Sequence, residues 1–553
     1  MTIHIRGSSA ARGSVVGLLT AAVAVGVAQF AAGLIKPQAS PVIAVGQAAI
    51  DHTPAPVKNF AISAFGPDDK TVLLGGILVV LAVYAAWIGA LALRRLGYGL
   101  TGLAVFTGIG LLAAVTRPNA TAGYVVPTLA GAAAGVVALV RLTRAAESAA
   151  PPPVPAAQTA PPPAPGTERD RAVPRQAAAS RPGSGRSAST SGRTGAPWPD
   201  RRRFIVTGGV AAATAAVAGL AGRELATRTS VTQARSALRI PAPTRPAPPL
   251  PPGADLGITG LSPFVTPGGS FYRVDTALLL PEVAPQSWRL RIHGMVRREV
   301  DISFAELLRR PLIEHYVTLC CVSNPVGGPY IGNAKWLGAS LASLLREAGP
   351  RAGADQLLCT SADGFTSGTP AAVVLDGRES LLAVAMNDEP LPVAHGFPAR
   401  MVVPGLYGYV SATKWVTDIE VTTFAASTAY WAQRGWSQQA PVKTESRIDV
   451  PTGGNALKAG RIPVAGVAWA QHKGIAAVEV QVDNGPWNEA RLAAVPGIDT
   501  WRQWVWDWDA TQGGHTLQVR ATDATGYTQT AVQEDPEPNG ATGYNAVTVT
   551  VSG

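Results

Sequence analysis

The chain has 553 residues, too many for one ordinary domain, and its charged fraction of 15% with a mean hydropathy of +0.17 implies a membrane portion. The formal net charge of +10 does not mark a nucleic-acid binder, because no basic patch is interleaved with aromatics and much of the Lys/Arg excess lies in a Pro-rich stretch. Three cysteines, two of them adjacent, exclude a disulfide framework, and no Cys-x-x-Cys zinc pattern or Cys-x-x-Cys-His haem attachment occurs.

Four apolar segments come first: Ser14 to Ile35, Val72 to Leu93, Gly97 to Val115 and Gly123 to Val140. Each is near the roughly 20 residues that cross a bilayer. Arg6 and Arg12 precede the first, Arg94 and Arg95 join the second to the third, and Arg141 and Arg144 follow the fourth, whereas the stretch from Lys36 to Lys70 also carries Asp51, Asp68 and Asp69. The positive-inside rule then puts both ends of this four-span region, residues 1–143, in the cytoplasm. The spans hold almost no ionisable residues, so they read as a scaffold without an ion path, and no paired intramembrane histidines offer a haem site.

Residues 144–203 are rich in Pro, Ala, Ser and Arg, a composition that reads as a disordered cytoplasmic linker. It ends in Asp200-Arg-Arg-Arg-Phe-Ile-Val206, followed by an Ala/Gly/Val run over 204–222. This pattern resembles an internal twin-arginine export signal; read as an ordinary fifth span, it gives the same topology. Both readings place everything after Arg223 outside the cytoplasm. A Pro-rich spacer, 223–259, leads to the globular part.

From 260 to 430, short strands (Trp288 to His293, Gln356 to Thr360, Val416 to Val421) mix with short helices (Phe304 to Arg309, Leu341 to Ala348), which reads as an α+β domain. Within it, His315-Tyr-Val-Thr-Leu319 reads as a buried strand and Asn324-Pro325 with Gly327-Gly328 as the turn leaving it. Cys320 and Cys321 sit at that strand's end. Adjacent strand residues face opposite sides, so at most one thiol can face a given pocket; both can equally be small buried hydrophobes. From 440 to 553, alternating segments (Ile462 to Trp469, Ala477 to Val482, Leu517 to Thr522, Ala546 to Val551) read as an all-β sandwich. Trp501, Trp504, Trp506 and Trp508 read as a packed core face, with an aromatic dimer contact as the alternative.

An ordered set of motifs then carries a resemblance. FVTPGGSFYRVDT (Phe264 to Thr276), TLCCVSNPVGG (Thr318 to Gly328), Ile331-Gly-Asn-Ala-Lys-Trp336, Met386-Asn-Asp-Glu-Pro-Leu391, His395-Gly-Phe-Pro-Ala-Arg400, Val402-Val-Pro-Gly-Leu-Tyr-Gly-Tyr409 and Lys414-Trp415 occur in the order seen in the sulfite oxidase family of molybdopterin enzymes. The resemblance covers nearly all of 260–553. Together with the transmembrane α-helical region read from the apolar spans, it implies a multi-domain chain with an α+β sulfite-oxidase-like molybdopterin domain and an all-β immunoglobulin-like sandwich that serves dimerisation.

The resemblance further implies a molybdopterin (Mo) cofactor with Cys321 as its catalytic metal thiolate and Cys320 as the inward neighbour. Tyr272, Arg273, Asn324, Thr360, His395, Arg400, Gly408, Ser411 and Lys414 match positions that contact the cofactor. Cys359 reads as core. The family's two arginines after the Cys-x-x-Asn run are Pro325 and Val326 here, its Arg-Asn-His triplet is Val274-Asp-Thr276, and its tyrosine over the metal is Phe365. Those losses should weaken the hold on a small dianion such as sulfite. The implied function is a plasma-membrane, multi-pass oxidoreductase performing oxygen-atom transfer at molybdenum outside the cytoplasm. Its partners are a small oxo-donor or oxo-acceptor, an external redox carrier (a cytochrome or a quinol-linked protein) and a second copy bound through the C-terminal domain. The alternatives are a reductase of sulfoxides or N-oxides on the same cofactor, and a non-catalytic adhesion or scaffold protein on the same fold.

Overall fold

The structure, a computed structural model, describes residues 4–54, 57, 60, 64–65, 69–117, 120–148, 201–228, 231–454 and 456–553. Most of the expected linker, 149–200, lies outside the described residues. Its two ends do not match the expectation: Arg144 to Ser148 continue the helix Val126–Ser148, and Arg201 to Arg203 open the helix Arg201–Arg228. The chain divides into two compact units.

The first unit is helical and draws on residues 1–31, 75–109 and 126–222. Across the chain, five helical stretches are long and apolar enough to cross a membrane: Ala10–Ile35, Lys70–Ala92, Leu96–Val115, Ala122–Ser148 and Phe204–Gly222. Small residues set how closely the helices approach. A Cβ added at Gly17 would lie 1.9 Å from Ala85 O, and one at Gly89 would lie 2.4 Å from Gly17 N.

The second unit comprises residues 32–74, 110–125 and 223–553. Its first ten strands are β1 (Arg289–Gly294), β2 (Val300–Ser303), β3 (Leu312–Cys320), β4 (Ile331–Ser340), β5 (Gln356–Ser361), β6 (Thr366–Pro370), β7 (Leu381–Met386), β8 (Glu389–Pro390), β9 (Arg400–Val402) and β10 (Val416–Thr422). They form two sheets, β2-β1-β10-β5-β6 and β3-β4-β7-β8, with β9 added on β7. Only β1 and β10 pair in parallel, so the region is mixed α+β without a βαβ series. The helix Phe304–Leu308 starts at a capping box in which Ser303 and Glu306 satisfy each other's backbone N–H. The helix Leu341–Ala348 is capped by Ser340 and closed by Gly349 at φ +69°. Strand β7, Leu-Leu-Ala-Val-Ala-Met, is buried at every position, as a strand covered on both faces must be.

Nine further strands follow: β11 (Glu445–Val450), β12 (Ala456–Lys458), β13 (Gly460–Trp469), β14 (Ile475–Val482), β15 (Trp487–Glu489), β16 (Arg491–Leu492), β17 (Arg502–Ala510), β18 (Gly513–Asp523) and β19 (Asn545–Ser552). Two sheets, β11-β13-β17-β16 and β12-β19-β18-β14-β15, share one apolar core. Val464, Trp504 and Trp508 enter it from one sheet, and Val478, Val480, Leu517, Val519, Val549 and Val551 from the other. The tryptophan ladder is therefore mainly a packed face, with Trp506 half-buried against the same core.

Trp501 joins the two strand regions. It is buried in the core of the first, its Nε1 donates to Phe264 O at 2.9 Å, and its backbone N donates to Thr318 Oγ1 on β3 at 2.7 Å. The expected spacer is also tied down. After the helix Val231–Ala237, Thr244 N donates to Leu312 O at 2.8 Å and Glu314 N to Arg245 O at 2.9 Å, so this Pro-rich run borders β3. Proline suits that place because an edge segment needs few N–H donors.

Candidate functional site

Strand β3 ends at Cys320, whose partner across β4 is Ile331. The chain then turns: Asn324 N donates to Cys321 O at 3.1 Å, and Gly328 N to Pro325 O at 2.8 Å. Both thiols are buried, to different extents. Cys320 packs into the large core at 1% exposure, whereas Cys321 retains 9% and its Sγ lies 2.9 Å from Ser323 Oγ. Burial pushes both thiols up, Cys320 well above its ordinary value; at Cys321 the Ser323 hydrogen bonds and the Lys414 charge work against that rise. Cys359, on β5, is pushed up to about 12 by burial and belongs to the core, as expected.

The Cys321 turn is held from the C-terminal strands as well. Arg447 of β11 donates to Gly328 O at 2.8 Å, and a Cβ at Gly327 would meet Asn545 Nδ2 at 2.1 Å. Asn324 is 3% exposed, and its Oδ1 accepts from Tyr330 N at 2.7 Å. Its Nδ2 is buried with no hydrogen-bond partner among the described residues. A buried amide donor without a partner costs on the order of 1–3 kcal/mol, so this one is suited to a ligand acceptor.

Tyr272 feels the charge of Cys321 and Arg400, Cys321 that of Lys414, and Lys414 that of Arg400. Burial, then Cys321 and Cys320, push the Tyr272 phenol well above its usual value, against the lowering effect of Arg400. A Cβ at Gly408 would lie 3.6 Å from both Tyr272 Oη and Cys320 O, so that glycine borders the same place. Arg400, the first residue of β9, is buried; its Nη1 donates to His395 O at 3.1 Å, its Nη2 to Ala412 O at 3.2 Å, and its Cζ stands 4.9 Å from the Trp336 ring centre. No carboxylate pairs with it among the described residues, and burial pulls it down to about 10. His395 is buried edge-on to Phe271 and pulled down to about 4 by burial, Arg400 and Lys414. Gly396 at φ +107° allows this crowding, since a Cβ there would lie 2.9 Å from Arg400 Cβ and 3.1 Å from Lys414 Cα.

Asp275 lies among these cations. Its Oδ2 accepts from Lys414 Nζ at 2.6 Å and from Arg273 Nε at 2.8 Å. Burial alone would raise its carboxyl, but Lys414, the Arg273 hydrogen bond and Lys70 together hold it well below the usual carboxylate range. Lys414 is pulled down to about 8 by burial, against the raising effect of Asp275. The residue that breaks the family's Arg-Asn-His triplet thus takes a place among the cations. Sequence reasoning noted Asp275 as a departure and missed this role, along with Ser323 and Trp336.

Two expected site residues sit differently. Ser411 is fully buried, but its hydroxyl donates to Leu406 O and Tyr407 O, both at 3.0 Å, which leaves it only an acceptor for a ligand. Thr360 lies half-buried on β5, between β10 and β6, and its carbonyl accepts from Thr417 Oγ1 at 3.4 Å. The contacts above link the other expected residues to one another, not to Thr360. Its signal was the family resemblance alone, which gives a position in a sheet but not the direction of a side chain.

The family model for an oxidoreductase molybdopterin binding domain matches residues 277–431. Sulfite oxidase of Gallus gallus is 32% identical over 317 residues, 47% of this chain and 67% of that protein. The chain belongs to the sulfite oxidase family of molybdopterin oxidoreductases. An uncharacterized oxidoreductase of Bacillus subtilis, YuiH, is 32% identical over 27% of this chain and 72% of its own. The solved sulfane dehydrogenase SoxCD of Paracoccus pantotrophus matches at 26% identity over 48% of this chain and 74% of that one, with a TM-score of 0.44. The chain spans 52% of the Mus musculus sulfite oxidase and 49% of the Homo sapiens one, about half the length of these two relatives.

This family member is an oxidoreductase with a molybdopterin cofactor, which sets aside a non-catalytic scaffold. The residues present fit that group: a thiol for a soft-ligand metal position, an unpaired buried amide donor, and buried cations in excess of carboxylates for a phosphate-bearing tail.

Proposed function

We propose that the enzyme holds its cofactor between Cys321, as the thiolate ligand, and a cation-rich pocket formed by Tyr272, Arg273, Asn324, His395, Arg400, Gly408 and Lys414, with Ser411 as an acceptor at its border. Arg400 is the observation that carries this reading. A buried guanidinium that meets only carbonyl oxygens and a ring is costly unless an anion joins it, and its planar fork suits a phosphate. When bound, the cofactor supplies oxygen-atom transfer at molybdenum, with electrons exchanged singly with an external carrier.

The chain's own residues divide the remaining tasks. Cys321 gives up its proton, helped by Lys414 and Ser323 against the effect of burial. Asn324 offers its free amide hydrogen, and Lys414 and Arg273 hold the anionic end in place. The positions where the family resemblance expects two arginines and a tyrosine hold Pro325, Val326 and Phe365 here, and Phe365 packs against Tyr430 with ring centres 5.7 Å apart. We therefore expect weak affinity for sulfite.

Those same neutral positions favour a second reading, reduction of sulfoxides or N-oxides. Assays with artificial donors and acceptors decide between the two: sulfite oxidation without methionine sulfoxide reduction supports the first, and the reverse result supports the second. Purified protein without stoichiometric molybdenum and pterin would refute both.

The setting is part of the proposal. The five apolar helices and the Arg-rich segments flanking them support a multi-pass plasma-membrane protein with its catalytic region outside the cytoplasm, and Arg201-Arg202-Arg203-Phe204 supports a twin-arginine-like fifth segment. The paired sheets of β11–β19 support an immunoglobulin-like sandwich that serves as a homodimer contact. The electron partner is a cytochrome or a quinol-linked protein. Within the catalytic region we keep the bounds read from the sequence, with the molybdopterin domain over 260–430 and the sandwich over 440–553.

A further inference from the structure

Lys70 precedes Asp275 by 205 residues, yet its Nζ donates to Asp275 Oδ1 at 2.6 Å. The same Nζ donates to Ala277 O at 2.8 Å. Gln47, on the helix Pro41–His52, grips the neighbouring backbone: its Nε2 donates to Thr276 O at 3.0 Å, and its Oε1 accepts from Leu278 N at 3.1 Å. Residues 275–278 are therefore held by Gln47, from the stretch between the first two apolar helices, and by Lys70, the first residue of the second.

The charge at this point is unbalanced. Among the described residues, Lys70, Arg273 and Lys414 converge on one carboxylate, Asp275, with Arg400 a further cation felt by Lys414. Asp275 is 5% exposed at its side chain, Lys414 10% and Lys70 24%, so water screens the excess only partly. Like charges held this close repel, and a bound dianion turns that repulsion into attraction.

We propose that Lys70 is a further cofactor-positioning residue: it completes, from outside the catalytic region's own sequence, the cation cluster that binds the phosphate end of the pterin cofactor. The proposal rests on the reading that Arg273, His395, Arg400 and Lys414 form that end of the pocket. Gln47 sets the register, so that Lys70 reaches Asp275 while the peptide from Thr276 to Leu278 stays fixed.

The test uses full-length protein purified in detergent. Molybdenum per chain, released pterin by fluorescence, and the half-time of cofactor loss at fixed temperature are measured for the parent, Lys70→Gln, Lys70→Arg and Lys414→Met. The melting of each cofactor-free chain is recorded alongside. Lys70→Gln should shorten the half-time about tenfold, the worth of one charge-assisted contact, and Lys70→Arg should restore it to within about twofold. Cofactor-free melting of the two Lys70 variants should agree. A parent-like half-time in Lys70→Gln overturns the proposal, as does a loss that only follows lower melting of the cofactor-free chain. Lys414→Met separates the two readings: if it too keeps its cofactor, the phosphate pocket is misassigned, and if it alone loses cofactor, only the role of Lys70 falls.

Discussion

Lys414 Nζ and Asp275 Oδ2 lie 2.6 Å apart inside a cluster with more cations than carboxylates among the described residues, where neighbouring cations hold the Asp275 carboxyl down and burial lowers Lys414. Asp275→Asn keeps the shape but removes the one negative charge. Breaking a buried pair from one side costs about 3 kcal/mol, and partial exposure of Arg273 and Lys70 reduces this to about 2 kcal/mol in the cofactor-free protein. The cofactor should then restore more stability to the variant than to the parent. Denaturant midpoints with and without cofactor measure both effects.

Arg400→Met should separate stability from binding. In the cofactor-free chain the substitution replaces a buried charge without a carboxylate partner by an apolar side chain against Trp336, so the melting temperature should hold or rise. Cofactor content should fall by an order of magnitude or more. Molybdenum per chain and melting, measured on one preparation, check both signs; a fall in melting with full cofactor content would contradict the role given to Arg400.

His395 predicts an acid-sensitive window. Its folded value of about 4 lies below its ordinary value of 6.5, so between the two the unfolded chain binds a proton that the folded chain does not. Stability from this group is complete above about 6.5 and falls as pH drops toward about 4, by at most about 3 kcal/mol. The Asp275 contribution, held far below the carboxylate range, is lost only at lower pH. Urea midpoints of the cofactor-free protein from pH 7 to pH 4.5 should show this slope, and His395→Asn should flatten it.

Thr318→Val tests the joint between the two strand regions. Thr318 Oγ1 accepts from Trp501 N at 2.7 Å and donates to Asn333 Oδ1 at 3.0 Å, all within buried surroundings. Valine fills the space and leaves both partners unpaired, at a cost of about 2–4 kcal/mol. The loss should appear in chemical denaturation with no change in the cofactor content of the folded fraction.

Much of the fold was legible because its signals are local. The run His315 to Leu319 marked β3, the alternation of Val478, Val480 and Val482 marked β14, and the apolar lengths marked the five long helices. Cys321 was separable from Cys320 only through the ordered motifs and the alternation of strand faces. What the sequence did not reveal rests on contacts between distant residues. Gln47 meets Leu278 across 231 positions and Lys70 meets Asp275 across 205, and a single polar residue at such a distance leaves no periodicity. The Pro-rich run was read only as a spacer, and its contacts with β3 were not legible because composition reports what a segment cannot bury, not what it can lie against. The hydroxyl of Ser411 was given to a ligand because a turn's own carbonyls, Leu406 O and Tyr407 O, have no sequence signature as acceptors.

Cys320 and Cys321 offer the sharpest contrast. Cys320 is packed in the core, so Cys320→Ser should cost about 1–3 kcal/mol of stability and leave cofactor and turnover in place. Molybdenum X-ray absorption on cofactor-loaded parent and Cys321→Ser protein tests the central claim most directly. Sulfur coordination at the metal should fall by one in Cys321→Ser and stay at the parent value in Cys320→Ser. An unchanged sulfur shell in Cys321→Ser, or a loss in Cys320→Ser instead, would contradict the account.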